Sequence, residues 1–216
     1  MTMKLSILLG AAGVVGAVLL SGAVATMAQP AALSDTAQFD AQGRLIPPTD
    51  YRDWVFLSSG IDMSYSEGAA VAPADTHTFD NVFAPRAAYA AFKRDGKWPN
   101  GTVLILENRG GVSKGSINKR GAFQSGLPTG MEAHVKDEAR FKGGWGFFGG
   151  LASGKPAPMI PYAATCYACH QQHAAADTTF VQFYPILLPV ATERGTLSAA
   201  YLAEIKPEPA TPAPHP

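Results

Sequence analysis

The sequence predicts an α+β domain, built mainly from an antiparallel β-sheet with a few helices. Two observations support this class. Short runs of β-branched, aromatic and other apolar residues recur between residues 50 and 150, separated by turn-forming residues, which is typical of strands. An alanine-rich segment between two of these runs, and a segment near the C-terminus that contains cysteine and histidine, are each expected to form a helix.

The predicted strands follow one another along the chain. We expect them at residues 54–57, 77–83, 102–106, 131–135 and 145–148. The third is the clearest, because it is β-branched and apolar and the turn signal Asn100-Gly101 precedes it. The stretch that follows it is rich in Gly and Ser, so Lys114 and Lys119 within it are expected to be solvent-facing hairpin residues.

Three helices are predicted. The first has Pro85 in its first turn, continues through an alanine-rich stretch to Arg94 and ends at Asp95-Gly96. The second covers residues 164–176, and a weaker third runs from Leu197 to Ile205. The helix near the C-terminus is the one that bears the cysteines and histidine described below.

Composition indicates one globular domain. The chain has 216 residues, is 47% hydrophobic and 16% charged, and contains enough apolar material for a core. We assign residues 50–205 to this domain, residues 29–49 to a flexible leader and residues 206–216 to a proline-rich disordered tail. Basic and acidic residues number 17 each, so the chain lacks the basic excess that a nucleic-acid partner requires.

Residues 1–28 have the pattern of a secretory signal peptide. Lys4 precedes an apolar run from Leu5 to Leu20, and small residues up to Ala28 provide a cleavage site. The run of about 16 residues is short for a membrane span, which needs about 20, although an uncleaved anchor is the alternative. We therefore expect Sec-type export to the periplasm and no membrane attachment after cleavage.

The segment Cys166-Tyr167-Ala168-Cys169-His170 is the C-x-x-C-H signature of covalent haem c attachment. On a helical turn, this spacing brings both thiols to one side, where they reach the two vinyl groups at one edge of the porphyrin. His170 then presents its imidazole to the iron as an axial ligand. A disulfide or redox dithiol remains an alternative, and a zinc site is less favoured because the sequence has no second cysteine pair.

The position of the motif in the chain indicates whether the iron of the single haem has a second axial ligand. No methionine follows His170, and His173 lies on the same helix and the same side, so an open sixth position is predicted. Tyr167 is expected to be a surface or packing residue. The remaining candidate ligands are more typical of core or surface positions: Met63, Met131, Met159, His77, His134 and His215.

Several segments in this order resemble the cytochrome P-460 and cytochrome c′-beta family of exported bacterial mono-haem proteins. They span residues 44–190 and are Tyr51 to Val55, Phe79 to Tyr89, Trp98 to Val103, Met131 to Asp137, Trp145 to Phe148, the haem motif, and Asp177 to Pro185. The resemblance implies a mostly antiparallel sheet, a five-coordinate haem c with His170 proximal, and a homodimer. It also places Phe56 and Phe83 near the haem as possible caps of the open iron site, and Asp80 near a polar distal position.

The sequence departs from the family at one position. Cross-linked members carry a lysine in the pattern Gly-Thr-x-x-x-Lys-Glu, whereas this chain has Leu106 there, between Gly101-Thr102 and Glu107. A hydrocarbon side chain cannot bond to the porphyrin. The resemblance therefore favours the uncross-linked, gas-binding type.

Three functions remain as hypotheses. The leading one is a periplasmic protein that binds nitric oxide or a similar small ligand at a five-coordinate iron, possessing an apolar distal site. The second is an enzyme of the hydroxylamine-oxidising type. The sequence therefore leaves open whether the protein is an enzyme. The third is a mono-haem electron carrier with a redox partner protein.

Overall fold

The computed structural model describes residues 35–65 and 76–206. The predicted signal peptide and almost all of the predicted tail lie outside these residues. Within the described ranges the structure has seven strands: β1 (Gln38–Phe39), β2 (Leu45–Ile46), β3 (Val55–Ile61), β4 (Thr78–Ala84), β5 (Val103–Val112), β6 (Phe123–Lys136) and β7 (Trp145–Phe148). The α-helices described there are α1 (Arg86–Asp95), α2 (Thr165–His173), α3 (Leu187–Glu193) and α4 (Ala199–Glu204).

Strands β3 to β7 form one antiparallel sheet in which sequence neighbours are also spatial neighbours. The predicted α+β class and all five predicted strands are therefore confirmed. β5 and β6 extend further than predicted, because their Gly- and Ser-containing ends continue the ladder to the pair Val112↔Phe123. Lys114 and Lys119 lie in the exposed loop that joins these two strands, as expected.

The sheet separates two apolar clusters, because successive side chains of a strand point to opposite faces. On the first face, which we call the helix face, Leu104 and Phe147 pack with residues of α1 and α3. On the second face, the hairpin face, Ile105 and Phe148 pack with Leu45 from the N-terminal segment. The alternation along β5 therefore determines which residues face each cluster.

The N-terminal segment corrects one prediction. Residues 38–46, which we assigned to a flexible leader, form the β1–β2 hairpin. Leu45 is fully buried, and its backbone exchanges hydrogen bonds of 2.8 and 3.0 Å with Ala157. The polar, alanine-rich composition suggested no packing, but the burial of one leucine against the hairpin face attaches this segment to the sheet.

The predicted first, second and third helices correspond to α1, α2 and α4. α1 ends at Gly96, whose φ of 70° lies in the left-handed region that favours glycine. α3 is not among the predicted helices, and its sequence contains Pro189. This proline lies in the first turn of the helix, where a backbone N–H has no acceptor within the helix, so it does not interrupt α3. No helix among the described residues is long and apolar enough to cross a membrane.

Candidate haem-binding site

A cavity of about 710 Å³ lies between the helix face of the sheet and the segment from α2 to Tyr184. Its volume is within the range of about 300–1,000 Å³ that is usual for ligand and cofactor sites. Its walls come from β3 to β6 on one side and from α2 and the residues after it on the other. The lining side chains discussed below are Met63, Asp80, Val82, Leu104, Leu106, Asn108, Glu132, His134, Cys166, Cys169, His170 and Phe180.

Helix α2 presents the three residues of the predicted haem motif to this cavity. Cys166, Cys169 and His170 all line it, because residues three and four apart on a helix share one face. Both cysteines carry free thiols. The arrangement has the donor set that covalent haem attachment needs, two thiols beside one imidazole at the wall of a cavity.

The His170 imidazole has one nitrogen engaged and one available. Its Nδ1 lies 2.8 Å from the backbone carbonyl oxygen of Thr178. A carbonyl only accepts, so Nδ1 carries the proton and Nε2 keeps a lone pair for a metal. Burial lowers the pKa of His170, although the hydrogen bond to Thr178 opposes this, and the lowered pKa favours the neutral imidazole. The hydrogen bonding of His170 therefore fits the role of an axial ligand to haem iron.

Aromatic rings hold α2 against the sheet. Tyr167 stacks on Phe147 with ring centroids 4.3 Å apart and an interplanar angle of 5°. Its hydroxyl accepts a hydrogen bond of 3.0 Å from the Phe147 N–H and donates one of 3.1 Å to the Ile160 carbonyl. Tyr167 is thus a packing residue, in agreement with the sequence interpretation. The His170 ring contacts Phe147 and Phe180, at 4.7 and 4.3 Å between centroids.

The sheet wall of the cavity contains a central row of three side chains, two apolar and one acidic. Val82 is opposite Leu106, and Leu106 is opposite Glu132, so these three side chains share the cavity face across β4, β5 and β6. Leu106 therefore points toward the cavity. It occupies the position at which the sequence pattern of cross-linked family members has lysine. A lysine amine at this position would enter the same space, and leucine supplies only hydrocarbon.

Polar side chains flank this row, and most of them were missed by the sequence analysis. Asn108 donates a hydrogen bond of 2.6 Å to the Asp80 carboxylate. Burial raises the pKa of Asp80, and burial together with the charge of Asp80 raises the pKa of Glu132. The expectation of an apolar distal site is therefore wrong for this wall. Strand alternation was the available signal, because Leu106, Asn108 and Leu104 must share one face.

His134 lies beside His170 in the cavity. It was expected to be structural or solvent-exposed, but its ring stacks on Phe147 at 4.0 Å and meets His170 edge-on at 4.6 Å. Burial lowers the pKa of His134 strongly, and the neighbouring His170 adds to the effect. Because the two imidazoles are in direct contact, a haem held by His170 would have His134 beside its axial ligand and not across the porphyrin from it.

The structure contradicts the prediction for Phe56 and Phe83. The two residues are paired across β3 and β4, and their rings contact each other at 5.7 Å on the hairpin face. Phe83 is buried in the hairpin-face cluster with Tyr51, and Phe56 is 53% exposed. Because Phe83 is three residues from Asp80 in a regular strand, the two side chains point to opposite faces, and Asp80 is the one in the cavity.

The other candidate ligands are dispersed. Met63 lines the cavity, whereas Met131 and Met159 pack with the hairpin-face cluster. His77 contacts Asp62, and the exposed His173 contacts Glu204 at 3.0 Å. His215 lies outside the described residues.

The comparison with known protein families agrees with this geometry. The family model described as Cytochrome P460 matches residues 48–181, which include the whole sheet from β3 to β7 and the Cys-x-x-Cys-His helix. No curated protein matches the chain. The match covers more than half of the sequence and confirms the resemblance drawn from the sequence segments. The chain therefore belongs to the cytochrome P460 family, and it is a haem protein.

Proposed function

We propose that the protein holds one haem c through Cys166 and Cys169, with Nε2 of His170 as the proximal ligand, and that it binds a small ligand such as nitric oxide on the opposite side. The observation that supports this most directly is the hydrogen bond from His170 Nδ1 to the Thr178 carbonyl, which fixes the tautomer and leaves Nε2 available beside both thiols. The bound haem supplies an iron centre that coordinates diatomic and nitrogen-oxide ligands.

The attachment is tested by mass and spectrum. The mature wild-type polypeptide is expected to keep its haem through acid-acetone extraction and to have the mass of chain plus haem. Cys166→Ala and Cys169→Ala should each leave a single thioether link, which changes the pyridine haemochrome spectrum. A wild-type mass equal to that of the bare chain with its two cysteines joined would contradict the proposal.

The open sixth position is tested by spin state. His134 lies on the proximal side, so Met63 is the cavity-lining thioether that competes for the distal position. We expect a high-spin, five-coordinate spectrum in the wild type that Met63→Leu does not change. Met131→Leu, on the hairpin face, serves as the control. A low-spin wild type that becomes high-spin in Met63→Leu would favour an electron carrier instead.

Ligand entry is tested by stopped-flow mixing of the reduced protein with nitric oxide. Leu106 borders the cavity from the central row of the sheet wall, so Leu106→Ala is expected to enlarge the distal space and speed association. Phe56→Ala is the matched control, since Phe56 is on the other face and half-exposed. The placement of the ligand site would be contradicted if Leu106→Ala bound nitric oxide at the wild-type association rate while Phe56→Ala changed that rate.

The position of Leu106 also supports a haem without a lysine cross-link. Lys114 and Lys119 are exposed in the loop between β5 and β6, away from the cavity wall. Mass spectrometry of haem peptides is expected to yield only the segment with Cys166 and Cys169. A second haem-linked peptide that contains either lysine would overturn this proposal.

A second candidate, oxidation of hydroxylamine or a related nitrogen compound, is favoured by the carboxyl groups of the cavity wall. Partial desolvation raises the pKa of both Asp80 and Glu132, so each carboxylate is a stronger base than an ordinary one and is suited to take a proton from an N–H or O–H group. The test is turnover of hydroxylamine with an artificial electron acceptor in wild type and in Glu132→Gln. Turnover that Glu132→Gln abolishes would favour the enzyme, and its absence in wild type would favour ligand binding alone.

We also propose export to the periplasm and assembly as a homodimer. The first is supported by the signal-peptide pattern of residues 1–28, and the second is what the resemblance of the sequence segments implies. N-terminal sequencing of the protein isolated from the periplasm and analytical ultracentrifugation test these two statements.

A further inference from the structure

The turn from Ala176 to Thr179, directly after α2, has an unusual backbone. Its two central residues, Asp177 and Thr178, have φ values of 50° and 53°, in the left-handed region. Two consecutive residues of this kind form a type I′ turn, which normally has Asn-Gly or another glycine-containing pair. A β-branched threonine in this region is strained, and such strain persists only where the surroundings enforce it.

One side of the turn is held by a partly buried ion pair. The Lys136 ammonium donates a hydrogen bond of 2.6 Å to the Asp177 carboxylate and another of 2.9 Å to the carbonyl of Trp98. Lys136 is only 6% exposed and lies on β6, so its position is fixed by the sheet. The same carboxylate accepts a hydrogen bond of 3.2 Å from the Trp98 N–H.

The other side of the turn is held by Thr179. Its hydroxyl accepts a hydrogen bond of 2.9 Å from the Trp98 indole N–H and donates one of 2.8 Å to the Ala176 carbonyl. The backbone N–H of Thr179 also donates to that carbonyl, at 2.8 Å. Both ends of the strained pair are therefore attached to Trp98, which is buried.

The result of these contacts is the position of one carbonyl. The Thr178 oxygen is 2.8 Å from His170 Nδ1, and this is the hydrogen bond that fixes the histidine tautomer. The strength of such a bond controls how much electron density the imidazole donates to a metal. A carbonyl at the tip of a turn keeps this hydrogen bond short only if the turn does not relax.

We propose that the Lys136–Asp177 ion pair is a positioning device for the axial histidine: it holds the left-handed turn so that the Thr178 carbonyl keeps a short hydrogen bond to His170 and thereby sets the strength of the iron–histidine bond and the reduction potential. This inference rests on the proposed function in that His170 is the axial ligand. Lys136 and Asp177 act through Thr178 and do not contact the metal.

The test compares two substitutions and a control in the haem-loaded protein. Lys136→Met removes the charge and keeps most of the chain length, and Asp177→Asn removes the charge but keeps a residue that tolerates the left-handed conformation. Lys155→Met changes an exposed lysine on the segment before α2. Resonance Raman of the ferrous proteins gives the iron–histidine stretching frequency, and redox titration gives the midpoint potential.

We expect both charge-removing variants to lower the stretching frequency and to shift the one-electron equilibrium toward the ferrous form by a factor of about three to ten, the upper value being about 59 mV. The control is expected to match wild type. Because the two residues act through one contact, the double variant should shift the potential as far as a single variant, not by twice as much.

The outcomes separate this inference from the proposed function. A wild type without an iron–histidine band would refute the axial role of His170. A wild type with that band, and with frequencies and potentials in Lys136→Met and Asp177→Asn that match Lys155→Met, would refute the positioning role alone. If Lys136→Met fails to fold, Asp177→Asn decides by itself, since it is nearly isosteric with wild type and keeps the turn preference.

Discussion

Replacing Glu107 with glutamine is expected to destabilise the fold by about 3 kcal/mol at neutral pH, although Glu107 lies outside the cavity. Its carboxylate is fully buried on the hairpin face. It accepts hydrogen bonds from Arg109 at 2.7 and 3.0 Å, from Arg52 at 2.7 and 2.9 Å, from Asn81 at 3.1 Å and from the Tyr51 hydroxyl. A buried carboxylate with this many donors is stabilised in its charged form.

The magnitude follows from the pKa. Burial alone would raise the pKa of Glu107, but the hydrogen bonds from Arg109, Tyr51 and Asn81 outweigh it and lower the pKa from 4.5 to about 2. That difference corresponds to about 3 kcal/mol of stability. The magnitude agrees with the cost of breaking a buried ion pair, about 3–5 kcal/mol, because removing the charge leaves Arg109, with a side chain 10% exposed, without its anionic partner.

The sign of the pH dependence is specific. A carboxyl group whose pKa is lower in the folded than in the unfolded state contributes stability that is present above pH 4.5 and is lost as the pH falls from 4.5 toward 2. Urea unfolding followed by circular dichroism, at several pH values between 2 and 7, measures this for wild type and Glu107→Gln. The difference between the two proteins should be largest near neutral pH and shrink through that window.

The control is Glu193→Gln, an exposed glutamate at the end of α3, which should follow wild type at every pH. A decrease of less than about 1 kcal/mol in the free energy of unfolding of Glu107→Gln at neutral pH would refute the reasoning. The ion network would then contribute no more than an ordinary surface ion pair. A difference that stays constant from pH 7 to pH 2 would refute it as well, because the charge of Glu107 would then contribute nothing.

Three further predictions concern the cavity and its support. Leu106→Lys is expected to place an amine in the cavity, and a second haem-linked peptide in mass spectrometry would show that register alone is sufficient for cross-linking. Tyr167→Phe should lose about 1–2 kcal/mol in thermal unfolding, since it leaves the Phe147 N–H and the Ile160 carbonyl without their partner; no loss would show that stacking alone holds α2. Glu132→Gln should remove from the pH profile of ligand association a step that lies above the ordinary glutamate range, because burial raises the pKa of Glu132; an unchanged profile would exclude that group.

Local patterns in the sequence were sufficient for the haem motif and for the order of the strands. Cys166, Cys169 and His170 are three and four residues apart, so one helical turn brings them together whatever the rest of the chain does. The direction of Leu106 also follows from alternation once β5 is recognised. These predictions needed only the period of a helix or a strand.

The distal side could not be predicted from single residues, because it depends on which face each strand presents. Asp80 and Phe83 were both considered near the haem, yet residues three apart in a regular strand point to opposite faces. Applying this rule would have excluded one of them. For Phe56 the rule is less secure, because β3 has a register shift between Phe56 and Ser58, and a bulge of this kind is not evident from sequence.

Contacts between distant parts of the chain were missed for a different reason. Glu107 binds Tyr51, which is 56 residues away, and Lys136 binds Asp177, which is 41 residues away. Neither pair has a local pattern. The Thr178 carbonyl is a backbone group that any residue would supply, so only the conformation of the turn reveals its role.

β5 links the stability of the protein to its chemistry, because adjacent residues of this strand serve opposite faces. Leu106 points into the cavity and Glu107 into the ion network, so a shift of one residue would exchange them. The network therefore fixes the register that keeps Leu106 in the cavity wall. The carboxyl groups on the two faces differ accordingly: Glu107 is fully buried, has four donor residues and a lowered pKa, whereas Asp80 accepts a hydrogen bond from Asn108 and the pKa values of Asp80 and Glu132 are raised. The same chemical group is therefore held as a charge where it stabilises the sheet, whereas at the cavity its protonated form is favoured more than in an ordinary carboxyl group.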